Sequence, residues 1–159
     1  MRSLRLIQLM KSNASGISED LLQKIRRSGK CKDFLLRVSE SEQRQYAGEI
    51  YQDLIGWLAK EADSIVEQRY VALGVRRAGQ GVPLSQMFWA VSIAREHLWE
   101  YTQHECLLEE PVEFWGGLTL LHSLNTFFDR VVYFALAGYE KANHGESATI
   151  AFLSGRRTA

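Results

Sequence analysis

Apolar residues recur at helical spacing along nearly the whole chain. No stretch combines enrichment in β-branched residues with strict alternation of apolar and polar positions, which is the pattern of a half-buried strand. The sequence therefore predicts an all-α domain with about six helices, and residues 2–11 form at most a weak one. The predicted helical segments are 2–11, 18–29, 32–38, 40–61, 62–81, 84–106 and 111–142.

Helix-start signals support several of these segments. Ser18 is a candidate N-cap because acidic residues follow it, and Ser39 with Glu42 three positions later is a candidate capping box. Pro83 and Pro111 each suit a first helical turn, where a missing backbone N–H costs nothing. On the helix that follows Pro83, the apolar stripe consists of Leu84, Phe88, Val91, Ala94 or Arg95, Leu98 and Tyr101.

The final helix is predicted to run from Pro111 to about Ala142, roughly 45 Å at 1.5 Å per residue. Residues 143–159 show no sustained period. We therefore divide the chain into a single helical domain over 1–142 and a C-terminal tail, or short appended helix, over 143–159.

The final helix carries more apolar surface than one neighbouring element can cover. Its stretch "FFDRVVYFALAGYE" (127–140) is almost free of charge, and its apolar arc spans well over half the circumference. A heptad-like seam also runs along it, with Asn125 as its polar member and a candidate for fixing the register. The seam consists of Phe114, Leu118, Leu121, Asn125, Phe128, Val132, Ala135 and Tyr139.

This seam predicts a homodimer in which the last two helices of each subunit form a four-helix interface, with Leu118, Leu121, Asn125, Phe128, Val132, Ala135 and Tyr139 as its contacts. The alternative is that the final helix is the wholly buried central strut of a monomer. A Phe128→Glu variant separates the two, since it gives a folded monomer in the first case and an unfolded protein in the second.

Composition and charge restrict the class of function. The 19 basic and 19 acidic residues cancel, so the chain lacks the overall positive field of a nucleic-acid-binding protein. The cancellation hides a basic N-terminal region, and a structural adaptor that uses Arg26, Arg27 and Lys30 to contact an acidic partner is one alternative function. Cys31 and Cys106 are too far apart to form a paired metal motif, and no run of eighteen apolar residues occurs. We expect a cytoplasmic protein that binds neither membranes nor nucleic acids.

Two segments resemble a known family, "LGVRRAGQGVPLSQMFWAVSIAREHLW" (73–99) and "FFDRVVYFALAGYE" (127–140). They are similar to the N-terminal sensory domain of RsbT co-antagonist proteins of the RsbRD type, which also occurs at the front of some bacterial histidine kinases. The matching elements are the "LGxRRAGQG" turn, the "AREHLW" helix and the "GYE" end of the last helix, and the resemblance covers roughly residues 20–142.

The resemblance implies a globin-like helical sensor without haem that is dimeric through its last two helices and acts in a bacterial stress response. It also implies an output partner, either a kinase or an anti-sigma regulatory module, to which the signal passes. Twenty residues follow Tyr139, too few for such a module. A free-standing sensor and a piece of a longer protein both remain open.

No arrangement of residues predicts an active site, and we expect no enzymatic activity and no cofactor. His97 is a candidate haem or small-ligand contact beside the apolar stripe, and this gives the alternative function of a globin-like carrier of haem or a small apolar ligand. His97, His104 and Cys106 lack a fourth metal ligand at a fixed spacing, so no metal site is predicted. The turn "GVRRAGQG" (74–81) could hold an anion, but a helix C-terminus explains it as well.

Overall fold

The computed structural model describes residues 2–60, 63–106 and 114–156. These residues form seven α-helices and no β-strand, so the predicted all-α class and the long final helix are confirmed. The globin-like arrangement stays a prediction of the family resemblance. The helices are α1 (Arg2–Ser12), α2 (Ala14–Arg27), α3 (Lys32–Arg37), α4 (Glu40–Leu58), α5 (Asp63–Gly79), α6 (Leu84–Cys106) and α7 (Phe114–Arg156).

Two helix ends differ from the prediction by four residues or more. α2 begins at Ala14, and the Ser18 hydroxyl lies within the helix, where it donates to the Ala14 carbonyl at 2.9 Å. α7 does not end near Ala142 but continues without a break to Arg156, through most of the segment assigned to a tail. Once nucleated, a helix extends by one hydrogen bond per residue, so neither extension needs an apolar period. The predicted start at Pro111 lies outside the described residues.

The start of α4 agrees with the sequence. The Ser39 hydroxyl accepts a hydrogen bond from the Glu42 backbone N–H at 3.2 Å, which is the first half of the predicted capping box. The Glu42 carboxylate instead binds two arginines of α5. The side chain that was expected to finish the cap therefore connects α4 to another helix.

The core surrounds the N-terminal half of α7. Phe127 is fully buried, and its ring centroid lies 5.2 Å from that of Phe128, 6.1 Å from that of Trp57 and 6.5 Å from that of Tyr70. Burying a phenylalanine stabilises a fold by about 1.5–3 kcal/mol. The phenylalanines that open "FFDRVVYFALAGYE" thus pack inside their own subunit.

α7 packs most extensively on α5, and two glycines permit the close approach. A Cβ atom on Gly74 would lie 2.0 Å from the Ala135 carbonyl oxygen, and one on Gly138 would lie 2.0 Å from the Val71 carbonyl oxygen. Any side chain at either position would collide with backbone, so this crossing requires glycine on both helices.

The inward side of α6 differs in part from the predicted stripe. Val91, Ala94 and Leu98 are buried as expected, but Leu84 and Phe88 remain 40% and 42% exposed. Met87, Ala90 and Ile93 complete the buried side instead. α6 carries two apolar stripes, and periodicity does not reveal which of them faces the core. Among the described residues, no helix is both long enough and apolar enough to cross a membrane.

Candidate functional site

A groove with a volume of about 500 Å³ lies between α6 and α7 on the surface of the subunit. Its apolar part is formed chiefly by two half-buried tryptophans of α6, Trp89 and Trp99, facing Leu121 of α7. The complete lining is Trp89, Ser92, Arg95, Glu96, Leu98, Trp99, Leu121, Leu124, Asn125 and Phe128.

Exposed apolar side chains extend the groove along both helices. On α6, Leu84 and Phe88 continue the helical row of Ser92 at spacings of four residues, so they lie on the same side of the helix. On α7, Leu118 precedes Leu121 by one turn and is 40% exposed. The groove and these three residues together form an apolar surface, which we call the α6–α7 face.

The structure divides the seven predicted interface residues between this face and the core. Phe128 and Ala135 are 1% exposed and belong to the core of the subunit, although Phe128 also closes the floor of the groove. Tyr139 is partly buried, and its hydroxyl donates to the Val82 carbonyl at 2.7 Å. Leu118 and Asn125 are exposed and Leu121 and Val132 partly buried, so these four remain accessible to another chain.

The α6–α7 face also carries charges that the sequence pattern does not predict. Arg95 of α6 lies 3.8 Å from Asp129 of α7, measured from Nη1 to Oδ1, and the Arg95 side chain is partly exposed and that of Asp129 largely exposed. At one end of the face, the Lys30 ammonium lies 4.1 Å from the Trp89 ring centroid. Because these contacts join residues that are far apart in the chain, no local sequence pattern predicts them.

The arginines of "GVRRAGQG" are already engaged. Arg76 and Arg77 both bind the Glu42 carboxylate, Arg77 at 2.9 Å, and Gln80 donates to it at 3.0 Å. The hydrogen bond from Arg76 is the largest cause that lowers the pKa of Glu42 from 4.5 to about 2. An internal carboxylate thus accounts for this arginine pair without an external anion.

His97 lies in the core and not in the groove. It is 7% exposed, and its Nδ1 is 2.6 Å from the Tyr51 hydroxyl of α4. Burial is the first cause that lowers the pKa of His97, and the neighbouring Lys24 lowers it further. A neutral imidazole that accepts from Tyr51 satisfies this geometry. The sequence suggested His97 as a candidate contact for haem or a small ligand, but it could not identify Tyr51 as the partner.

The basic N-terminal region is partly neutralised within the subunit. Lys24 pairs with Glu100, and Arg26 lies 3.5 Å from Glu40. Arg27 and Lys30 remain exposed. Within the described ranges, no group of three or more His, Cys, Asp or Glu residues is arranged to hold a metal ion.

The two segments that carry the family resemblance pack against each other. Gly74 of the first segment contacts Ala135 of the second, and Tyr139 of the second bonds to Val82 of the first. Comparisons with curated proteins and with solved structures gave no match. Residues 15–148 match the family model described as the RsbT co-antagonist protein rsbRD N-terminal domain. The chain therefore belongs to this family of stress-response signalling domains of the RsbR type.

Proposed function

We propose that this domain is a signal-input module that works as a homodimer, with the α6–α7 faces of two subunits packed together into a four-helix interface. The observation that carries the proposal is the apolar α6–α7 face. Leu84, Phe88 and Leu118 are each at least 40% exposed on it, beside a groove walled by two tryptophans.

A second copy of the chain fits this face because helices of matching length and composition would cover it. Apolar surface removed from water contributes about 25 cal/mol per Å², and a clustered face gains more than scattered exposed residues do. Asn125 lies among these apolar residues, where a partnered amide would fix the register of the two helices. The interface we propose is therefore shifted from Phe128 and Ala135 towards Leu118, Asn125 and the start of α6.

α7 supplies the route for the signal. Its 43 residues span roughly 64 Å, and its residues from Glu140 to Gly145 are largely exposed although the helix continues. A change in the packing of the two subunits would move the far end of this rod as a rigid body. The recipient is an output partner, either a kinase or an anti-sigma regulatory module, in the cytoplasm, and the domain itself carries out no catalysis.

Sedimentation analysis at micromolar concentration tests the dimer. Wild-type protein should sediment at twice the 18.2 kDa chain mass, and Phe88→Glu should raise the dissociation constant by more than about tenfold while the helical circular dichroism is retained. Leu36→Glu is the matched control, because Leu36 is 83% exposed on α3 and is not one of the residues that form the face. A wild-type monomer, or equal effects of the two variants, would refute the proposal.

The alternative function is binding of a small apolar ligand in the same groove. Trp89 and Trp99 favour it, because paired aromatic walls around a few hundred Å³ are typical of ligand sites. The two functions differ in a native mass spectrum of protein purified from its host. A retained small molecule that is lost in Trp99→Ala supports the ligand site, whereas an empty dimer supports the interface.

A further inference from the structure

The middle of the α6–α7 face is charged, in contrast to its apolar ends. Arg95 is the central residue of α6, which runs from Leu84 to Cys106, and it lines the groove. Asp129 lies beside it on α7, one turn beyond Asn125. A partner that covers Leu84, Phe88 and Leu118 must also cover this charged centre.

Within one subunit, Arg95 and Asp129 interact only weakly. The shortest distance between the Arg95 guanidinium and the Asp129 carboxylate, from Nη1 to Oδ1, is 3.8 Å, which is longer than a hydrogen bond. The side chains are 42% and 74% exposed. A solvent-exposed pair at this distance adds little to the stability of a fold. Among the residues that the structure describes, Arg95 makes no hydrogen bond with its guanidinium, so these donors are available to a second carboxylate, and a guanidinium suits a bidentate one.

We propose that Arg95 and Asp129 determine self-recognition by pairing across the twofold axis, Arg95 of each subunit with Asp129 of the other. This inference rests on the dimer proposed above. In a twofold interface a contact from one residue to another is always made twice, with the roles exchanged. The two subunits would thus form a closed set of four alternating charges. Burying these charges is tolerable only if each one is paired.

This charge pairing predicts an effect of charge-reversal variants on dimerisation that an interface of apolar contacts alone would not show. Arg95→Asp alone would set like charges against each other across the axis, as would Asp129→Arg. Each variant should weaken its own dimer on the order of 100-fold. A mixture of the two variants places opposite charges at both contacts, so it should form heterodimers. The double variant, Arg95→Asp with Asp129→Arg, carries both exchanged charges in one chain. Two copies of it again place opposite charges together across the axis, so it should form a homodimer.

Sedimentation analysis of each protein, and native mass spectrometry of the mixture, would measure these outcomes. Arg130→Asp is the control, because Arg130 is exposed on α7 next to Asp129 but about 100° away around the helix. A wild-type dimer whose strength is unchanged in Arg95→Asp overturns the charge pairing and leaves the proposed dimer intact. A wild-type monomer overturns both. If each single variant dimerises weakly but the mixture forms no heterodimer, Arg95 does not pair with Asp129 of the other subunit, and the proposal is overturned.

Discussion

Replacement of Glu42 by glutamine should destabilise the domain, because this one carboxylate holds two guanidinium groups. Arg77 is 2% exposed and Glu42 is 17% exposed, so the pair is largely removed from water. The pKa of Glu42 falls from 4.5 to about 2 on folding. By linkage, such a shift corresponds to about 3 kcal/mol of stability at neutral pH. Loss of the charge leaves Arg77 buried without its counter-ion, which acts in the same direction.

The sign of the pH dependence follows from the lowered pKa. The contribution of Glu42 is fully present above its unfolded pKa near 4.5 and is lost as the pH falls towards 2. Urea unfolding at pH 7 and at pH 3 should therefore show that wild type loses more stability on acidification than Glu42→Gln does. Glu40→Gln is the control, because Glu40 is also in the first turn of α4 but is 68% exposed. Equal losses in the two variants at pH 7 would refute the reasoning.

Three further substitutions test the packing. Gly138→Ala should destabilise the domain by about 1–3 kcal/mol in thermal unfolding, because its Cβ would meet the Val71 carbonyl oxygen at 2.0 Å. Gly48→Ala, with nothing within 4 Å, should instead stabilise it by up to about 1 kcal/mol, and the reverse order would contradict the crossing of α5 and α7. Tyr51→Phe should cost about 1–3 kcal/mol, because it leaves His97 Nδ1 buried without a partner. Since burial lowers the pKa of His97, the free energy of unfolding of the wild type, measured by urea titration, should also fall as the pH drops below 6.5. A free energy of unfolding that does not change with pH in this range would argue against a neutral, buried imidazole.

Local patterns identified the elements and part of the core. Val91, Ala94 and Leu98 of the predicted α6 stripe are buried, and Ser39 caps α4 as predicted. The pattern failed where two stripes competed, as at Phe88, because an exposed apolar residue has the same sequence signature as one in the core. It also failed for polar partners. Glu42 and Arg77 are separated by 35 residues, and nothing in either neighbourhood identifies the other.

The family resemblance identifies the domain but no binding site, because its motifs consist of residues that pack the helices together. Several residues of its motifs have structural roles in this subunit. Gly74 and Gly138 allow α5 and α7 to touch, and Tyr139 ties α7 to the turn that contains Val82. That turn is also linked to α4, since Gln80 binds the Glu42 carboxylate. The shared motifs thus describe how α7 is clamped to the rest of the domain. The motifs therefore describe how α7 packs on the domain and do not locate a surface for a stimulus or a partner.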